Sequence, residues 1–401
     1  MNRLKLTILS GVLLTVTIIA ALLLSTGQIK AVGAVGVAPS LKAKCGSWNL
    51  VPSPNATTGD NALGSVAAIS SSDIWAVGNA VINPDLISQT LTEHWNGTSW
   101  SVVSSPNAGS SDNFLLSVAT VSTSDVWAVG NYLNSNGIPQ TLIEHWNGTA
   151  WNIVSSPNVG ASDNLLFGLT AISSNDVWAV GYYQDETASF RTLIEHWDGT
   201  SWKVVSSPNI GSSNNLLYAI TALSASDVVA VGQYLNTSGP GEALIEQWNG
   251  TRWSVVSSPK TGSASNVLLG ITVTTTGNLW AAGEIESDSK PLQTLTEQQN
   301  GTHWSIVSSP DAGSADNKLF GISAISNSSI WAAGNYLDKA GNAQTLIEEW
   351  NGAHWLIMHS PSPGSGDNIL GAIVALSPND VWAVGGYDNG GSTRTLIEHY
   401  C

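Results

Sequence analysis

Charge is what this 401-residue sequence has least of: Asp, Glu, Lys and Arg together make up 10% of it. Basic residues are scarcest, 13 against 29 acidic ones, for a formal net charge of −16. Five of the 13, Arg3, Lys5, Lys30, Lys42 and Lys44, come before residue 45, so the remainder carries only eight. A body that acidic repels phosphate backbones, which excludes nucleic acid as a partner. No apolar period of 3.6 residues runs anywhere after residue 30, which excludes a helical protein. Two cysteines allow one disulfide at most. Ser, Thr, Asn and Gly are plentiful instead, a composition suited to strands and turns facing an extracellular medium.

What is present is repetition. One proline recurs at Pro54, Pro106, Pro157, Pro208, Pro259, Pro310 and Pro361, a step of 52 and then of 51. Self-similarity at such a period marks a repeat architecture. The unit is clearest from Leu115 to Pro157, LLSVATVSTSDVWAVGNYLNSNGIPQTLIEHWNGTAWNIVSSP. Within it LLSVATVS, DVWAVGNY, TLIEHW and TAWNIV read as four strands, a to d, rich in β-formers and alternating in polarity. Asn-Gly separates c from d at Asn96, Asn147, Asn249, Asn300 and Asn351, with Asp198-Gly199 as the substitute in a sixth unit. That dipeptide predicts a type I′ hairpin turn, with positive φ at both residues. Four antiparallel strands cannot bury both faces alone, so the units must stack. Seven such sheets stacked radially form an all-β, seven-bladed β-propeller.

The two ends of the chain predict how the ring closes. GSWNLVPSP, from Gly46 to Pro54, matches strand d alone, and TLIEHYC, from Thr395 to Cys401, matches strand c and stops. The N-terminal strand is therefore expected to complete the C-terminal blade, which removes the exposed edges of an open array. Both cysteines fall at that seam, where a Cys45–Cys401 disulfide would staple the missing turn. The domain is expected to span 45–401, preceded by a linker over 26–44. Ahead of that, Arg3 and Lys5 lead into an apolar run from Leu6 to Leu24. Residues 1–25 thus read as a signal peptide or an uncleaved membrane anchor, with the propeller outside the cytoplasm and the membrane met only through this segment.

All 18 tryptophans occupy three repeat positions, in strand b, at the end of strand c or at the start of strand d. Packing between blades accounts for them. A recurring Glu (Glu93, Glu144, Glu195, Glu246, Glu297, Glu348, Glu398), often followed by His, lies on the third strand outward in seven different blades, so these groups do not converge on one site. The a-to-b and c-to-d turns share one face and are uniform. The d-to-a and b-to-c connections share the other and vary, and function concentrates on loops held by a rigid scaffold. That face carries Asp60, Asp112, Asp163, Asp316 and Asp367 near the channel mouth, with Asn214 and Ser265 in the other two units. It also carries Tyr132, Tyr183, Tyr234, Tyr336 and Tyr387 where the b-to-c loops open. These ten residues are the candidate ligand site, for a sugar, a basic peptide or a cation. The structural alternative is Asx turns capping strand starts and tyrosines shielding blade edges.

VWAVG, a long loop and then LIEHWNGTxW resembles the kelch repeat over Gly46 to Cys401. The resemblance implies a seven-bladed propeller closed by a shared blade, in a binding protein. The sequence departs in having one Gly after strand b, except at Gly385-Gly386, and Trp where kelch usually has Tyr. Its wording is similar to that of bacterial secreted propeller-repeat proteins. Two enzyme relatives do not carry over. Galactose-oxidase-like propellers need a Tyr–Cys cross-link at copper, whereas both cysteines here sit at the seam. Sialidase-like ones need three converging arginines, whereas Arg191 and Arg394 share one repeat position and Arg252 lies on the other face. No metal, cofactor or catalytic residue is therefore assigned. The expectation is a scaffold binding a carbohydrate or protein at the cell surface, with a secreted glycan hydrolase or lyase using mouth carboxylates as the alternative.

Overall fold

A computed structural model describes residues 46–83, 86–211, 213–287 and 290–401. The signal or anchor segment, the linker and Cys45 lie outside the described residues, and the expected disulfide with them. Among the described residues there is no helix, and the strands form seven four-stranded antiparallel sheets, each in the order a-b-c-d. Blade 2 is typical, with strands Asn113–Ser122, Asp125–Leu133, Pro139–Trp146 and Trp151–Ile153. Blade 7 takes Asn368–Ser377, Asp380–Asp388 and Thr393–Tyr400 from the C-terminus, and Trp48–Leu50 from the N-terminus as its fourth strand. The register is Trp48 opposite Tyr400, Asn49 opposite His399 and Leu50 opposite Glu398. The Gly46 N–H donates to the Cys401 carbonyl oxygen, continuing the pairing to the last residue.

Strand b is apolar on both faces because each blade packs against a neighbour on both sides. In blade 2 its central six residues, Val126 to Asn131, are all buried. The core is therefore seven layers between blades rather than one centre. Between blades 1 and 2, Trp75 and Val77 meet Leu115, Val118, Val126, Leu142 and Trp151. The joint between blades 6 and 7 includes Trp48 from the N-terminal strand, edge-on to Trp331 at 5.6 Å.

The c-to-d turns differ from the type I′ expectation. Gly148 has φ +89°, whereas Asn147 is not among the positive-φ residues. Asn147 acts through its side chain: Oδ1 accepts from the Thr149 N–H, the Thr149 hydroxyl and the Ala150 N–H at 3.0, 2.7 and 3.0 Å. The loop is an Asx turn, for which a carbonyl side chain matters more than left-handed backbone.

Strand a carries a feature that its sequence alternation hides. Each inner strand has a β-bulge after an invariant leucine, between Leu115 and Ser117 in blade 2 and at the matching place in all seven. The extra residue turns toward the channel, as bulged residues commonly do beside functional sites. The facing residue must be glycine. A Cβ on Gly130, the last residue of VWAVG, would lie 2.0 Å from the Phe114 carbonyl oxygen.

Candidate functional site at the channel mouth

The aspartates of the loop face are structural latches in four blades. Oδ1 of Asp60, Asp112, Asp316 and Asp367 accepts the backbone N–H of Thr393, Ser88, Leu292 and Ala343, at 2.7–2.9 Å. Each bond ties the start of one blade's strand a to the opening of strand c in the blade before it. Asn214 does the same for Phe190 at 3.0 Å, and Ser265 for Gly241 at 3.0 Å. Asp163 is the exception, because the residue in the donor position is Pro139, which has no N–H. No hydrogen bond engages its side chain among the described residues. Partial burial holds its carboxyl above the usual range.

The asparagines that follow these residues are buried and cap the incoming loop; the Asn113 Oδ1, for instance, accepts the Ala108 N–H at 2.8 Å. Tyr132, Tyr183, Tyr234, Tyr336 and Tyr387 stand opposite these asparagines. All five are half-buried and pack on the layers between blades. The Tyr234 hydroxyl donates to Glu242 at 2.7 Å, and burial with that carboxylate pushes its pKa up to about 12. The ten residues singled out from the sequence thus ring the mouth without converging, and none of them lines the cavity below.

That cavity, of about 350 Å³, is walled by all seven inner strands. The bulged residues around it are Gly64, Leu116, Phe167, Tyr218, Leu269, Phe320 and Gly371, a position that varies while the leucine before it does not. The sequence hides this ring because strand a reads as regular alternation. The signal was there, in a variable residue between an invariant leucine and a small one, opposite an invariant glycine. The symmetry breaks most in blades 3 and 4. Phe167 stacks on Tyr182 at 5.4 Å and meets Tyr218 edge-on at 5.8 Å, and Phe190 lies 4.8 Å from Tyr182. Burial raises the Tyr182 pKa, and the Asp163 charge raises it further. The Tyr218 hydroxyl is buried with no hydrogen-bond partner among the described residues. A buried ion pair at 3.4 Å, from Glu284 on strand b of blade 5 to Lys318 on strand a of blade 6, joins these two blades. Burial raises Glu284 to about 7 against the pull of Lys318.

The recurring glutamates have another role. All seven are buried, six with pKa raised to about 8 and Glu297 to about 7, by desolvation. The six raised to about 8 favour the protonated form at pH 7, whereas Glu297 is close to its midpoint. Several take a serine hydroxyl from the preceding connection: Ser53 to Glu93 at 2.9 Å, Ser258 to Glu297 at 3.0 Å, Ser360 to Glu398 at 2.6 Å. The neighbouring histidines turn the other way. His94, His145, His196 and His399 each reach an aspartate of their own blade at 2.8 Å. Each also lies against the strand-b tryptophan at 4.0–4.4 Å.

No family model matches the sequence, and no curated protein is similar to it. Solved structures share the fold at low identity. YCF48 bound to a D1 peptide is 14% identical, with TM-score 0.52 over 90% of this chain and 98% of that one. A polysaccharide lyase of family PL25, an ulvan lyase, is 10% identical, with TM-score 0.55 over 88% and 94%. A protein of unknown function from Dyadobacter fermentans is 12% identical, with TM-score 0.50 over 89% and 99%. At these identities the likeness establishes one class, the β-propeller.

Proposed function

We propose that this propeller is an extracytoplasmic binding scaffold that recognises a carbohydrate on its d-to-a and b-to-c face, in the sector of blades 3 and 4. The observation that carries the reading is Asp163, the one of the five mouth aspartates that makes no latch among the described residues, set beside the aromatic group of Phe167, Tyr182, Phe190 and Tyr218. A carboxylate with open lone pairs accepts sugar hydroxyls, and aromatic faces take the C–H side of a sugar ring. A protein segment is the other partner such a face serves, and propellers of this fold include one that binds a peptide and one that acts on a polysaccharide. The second reading, a glycan hydrolase or lyase, draws on the same residue, since a carboxyl held above its usual range suits a general acid.

A glycan array followed by calorimetry tests this. Asp163→Ala is expected to weaken binding of the array's best glycan by about tenfold while leaving the melting temperature in place, since no latch is lost. Asp112→Ala is expected to lower stability by about 1–2 kcal/mol, through the orphaned Ser88 N–H. Absence of any glycan binding would remove the reading, and release of cleaved products would favour the enzyme.

The same proposal holds the ring outside the cytoplasm behind its N-terminal segment, takes the repeat as kelch-like, and closes the seam with Cys45–Cys401. The Gly46 bond to Cys401 supports the last point, because it sets Cys45's chain neighbour against Cys401. A mobility shift on reduction is expected in gels. Labelling of both thiols without reductant would rule the bond out.

A further inference from the structure

Resting on the glycan reading, we infer that the channel cavity is a subsite for a single uncharged sugar ring, the terminal residue of the glycan, admitted past Gly64 and Gly371. Among the described residues, no Asp, Glu, Lys, Arg or His lines the cavity. A charged sugar would lose its hydration there with nothing to pair it. The walls are unlike: Ser65, Ser117 and Asn131 offer hydroxyls and an amide from blades 1 and 2, while Phe167, Tyr218 and Phe320 offer aromatic surface from blades 3, 4 and 6. A sugar has that same division, with polar edges and an apolar face. At about 350 Å³ the space lies at the small end of the ~300–1,000 Å³ range of ligand pockets, so one ring fits and an oligosaccharide does not.

The ring of bulges also has a gap. Five blades place Leu116, Phe167, Tyr218, Leu269 or Phe320 over the channel, whereas the adjoining blades 7 and 1 place glycine. Their backbones come close enough that a Cβ on Gly371 would sit 3.2 Å from the Gly64 carbonyl oxygen. Above them Gly386 faces Ala62, where a Cβ added to the glycine would lie 3.4 Å from the Ala62 Cβ, so small residues continue toward the loop face. Opposite the aromatic wall, then, no side chain at the bulge position covers the channel.

The test is calorimetry with neutral methyl glycosides and their uronic acid counterparts, alongside the best glycan from the array. The neutral member of a pair is expected to bind about tenfold or more tighter than the acid. Gly64→Leu, which gives blade 1 the side chain that Leu116 already supplies in blade 2, is expected to abolish methyl glycoside binding and weaken the glycan about tenfold. Ser117→Ala, which removes one hydroxyl and leaves the backbone alone, is expected to weaken both several-fold, and it serves if Gly64→Leu melts early. Folded Gly64→Leu and Ser117→Ala proteins that bind the glycan as the natural protein does would overturn the channel subsite while leaving loop-face recognition standing. Equal binding of neutral and acidic glycosides would also overturn it. Failure of every glycan to bind would take both proposals down together.

Discussion

Replacing Trp331 with alanine is expected to lower the free energy of unfolding by about 3–5 kcal/mol, the range for emptying a buried aromatic site. Trp331 has no exposed surface, and its ring lies 5.6 Å from Trp48 and 5.0 Å from Tyr400. It therefore packs at once against both ends of the chain. Trp48→Ala, at 5% exposure, removes the other half of that contact and is expected to cost a similar amount. Val204→Ala, on an outer strand at 44% exposure, is the control and should stay within about 0.5 kcal/mol of the natural protein. Urea titration measures all three. A loss at Trp48 no larger than that at Val204 would mean that the N-terminal strand does not hold the ring closed in solution.

Stability is expected to be greatest in mild acid and to fall as pH rises from about 5 to 9, the reverse of what carboxylate-bearing salt bridges would produce. The cause is the set of buried glutamates. In the unfolded chain these acids titrate near 4.5, whereas in the fold desolvation raises six of them to about 8 and Glu297 to about 7. Below 4.5 both states hold the protons and the contribution is fully present. Between 4.5 and 8 unfolding releases protons, so each added pH unit favours the unfolded chain, by up to about 1.4 kcal/mol for each fully shifted acid. The contribution is gone once pH passes 8. Glu93→Gln keeps an acceptor for the Ser53 hydroxyl without a proton to lose. It is expected to flatten the curve and to melt higher than the natural protein at pH 9. Melting temperatures at pH 5, 7 and 9 decide the matter, and a flat or rising profile in the natural protein would sink the account.

The loop face shows how far residue patterns carry and where they stop. Asp60, Asp112, Asp163, Asp316 and Asp367 look equivalent in the chain, each one residue ahead of a buried asparagine. What separates Asp163 is the lack of an N–H at Pro139, 24 residues earlier and in the blade before it. Residue types alone do not say that these two positions face each other. The asparagine of the c-to-d loops was legible as a turn residue but not as the side-chain acceptor it is, because Asn serves left-handed turns and Asx turns equally well. The glutamates were legible as structural, since seven copies in seven blades cannot meet. Their raised pKa was not, because it follows from complete burial.

Periodicity by itself determined the number of blades, the order of strands within each and the joining of the two ends, because a repeated unit leaves one way to bury its faces and one way to lose its edges. Tertiary structure alone decided which repeats differ in chemistry. The bulge aims a variable side chain of strand a into the channel, and the meeting of Phe167, Tyr182 and Tyr218 across two blades depends on distances between strands that no single stretch of chain encodes.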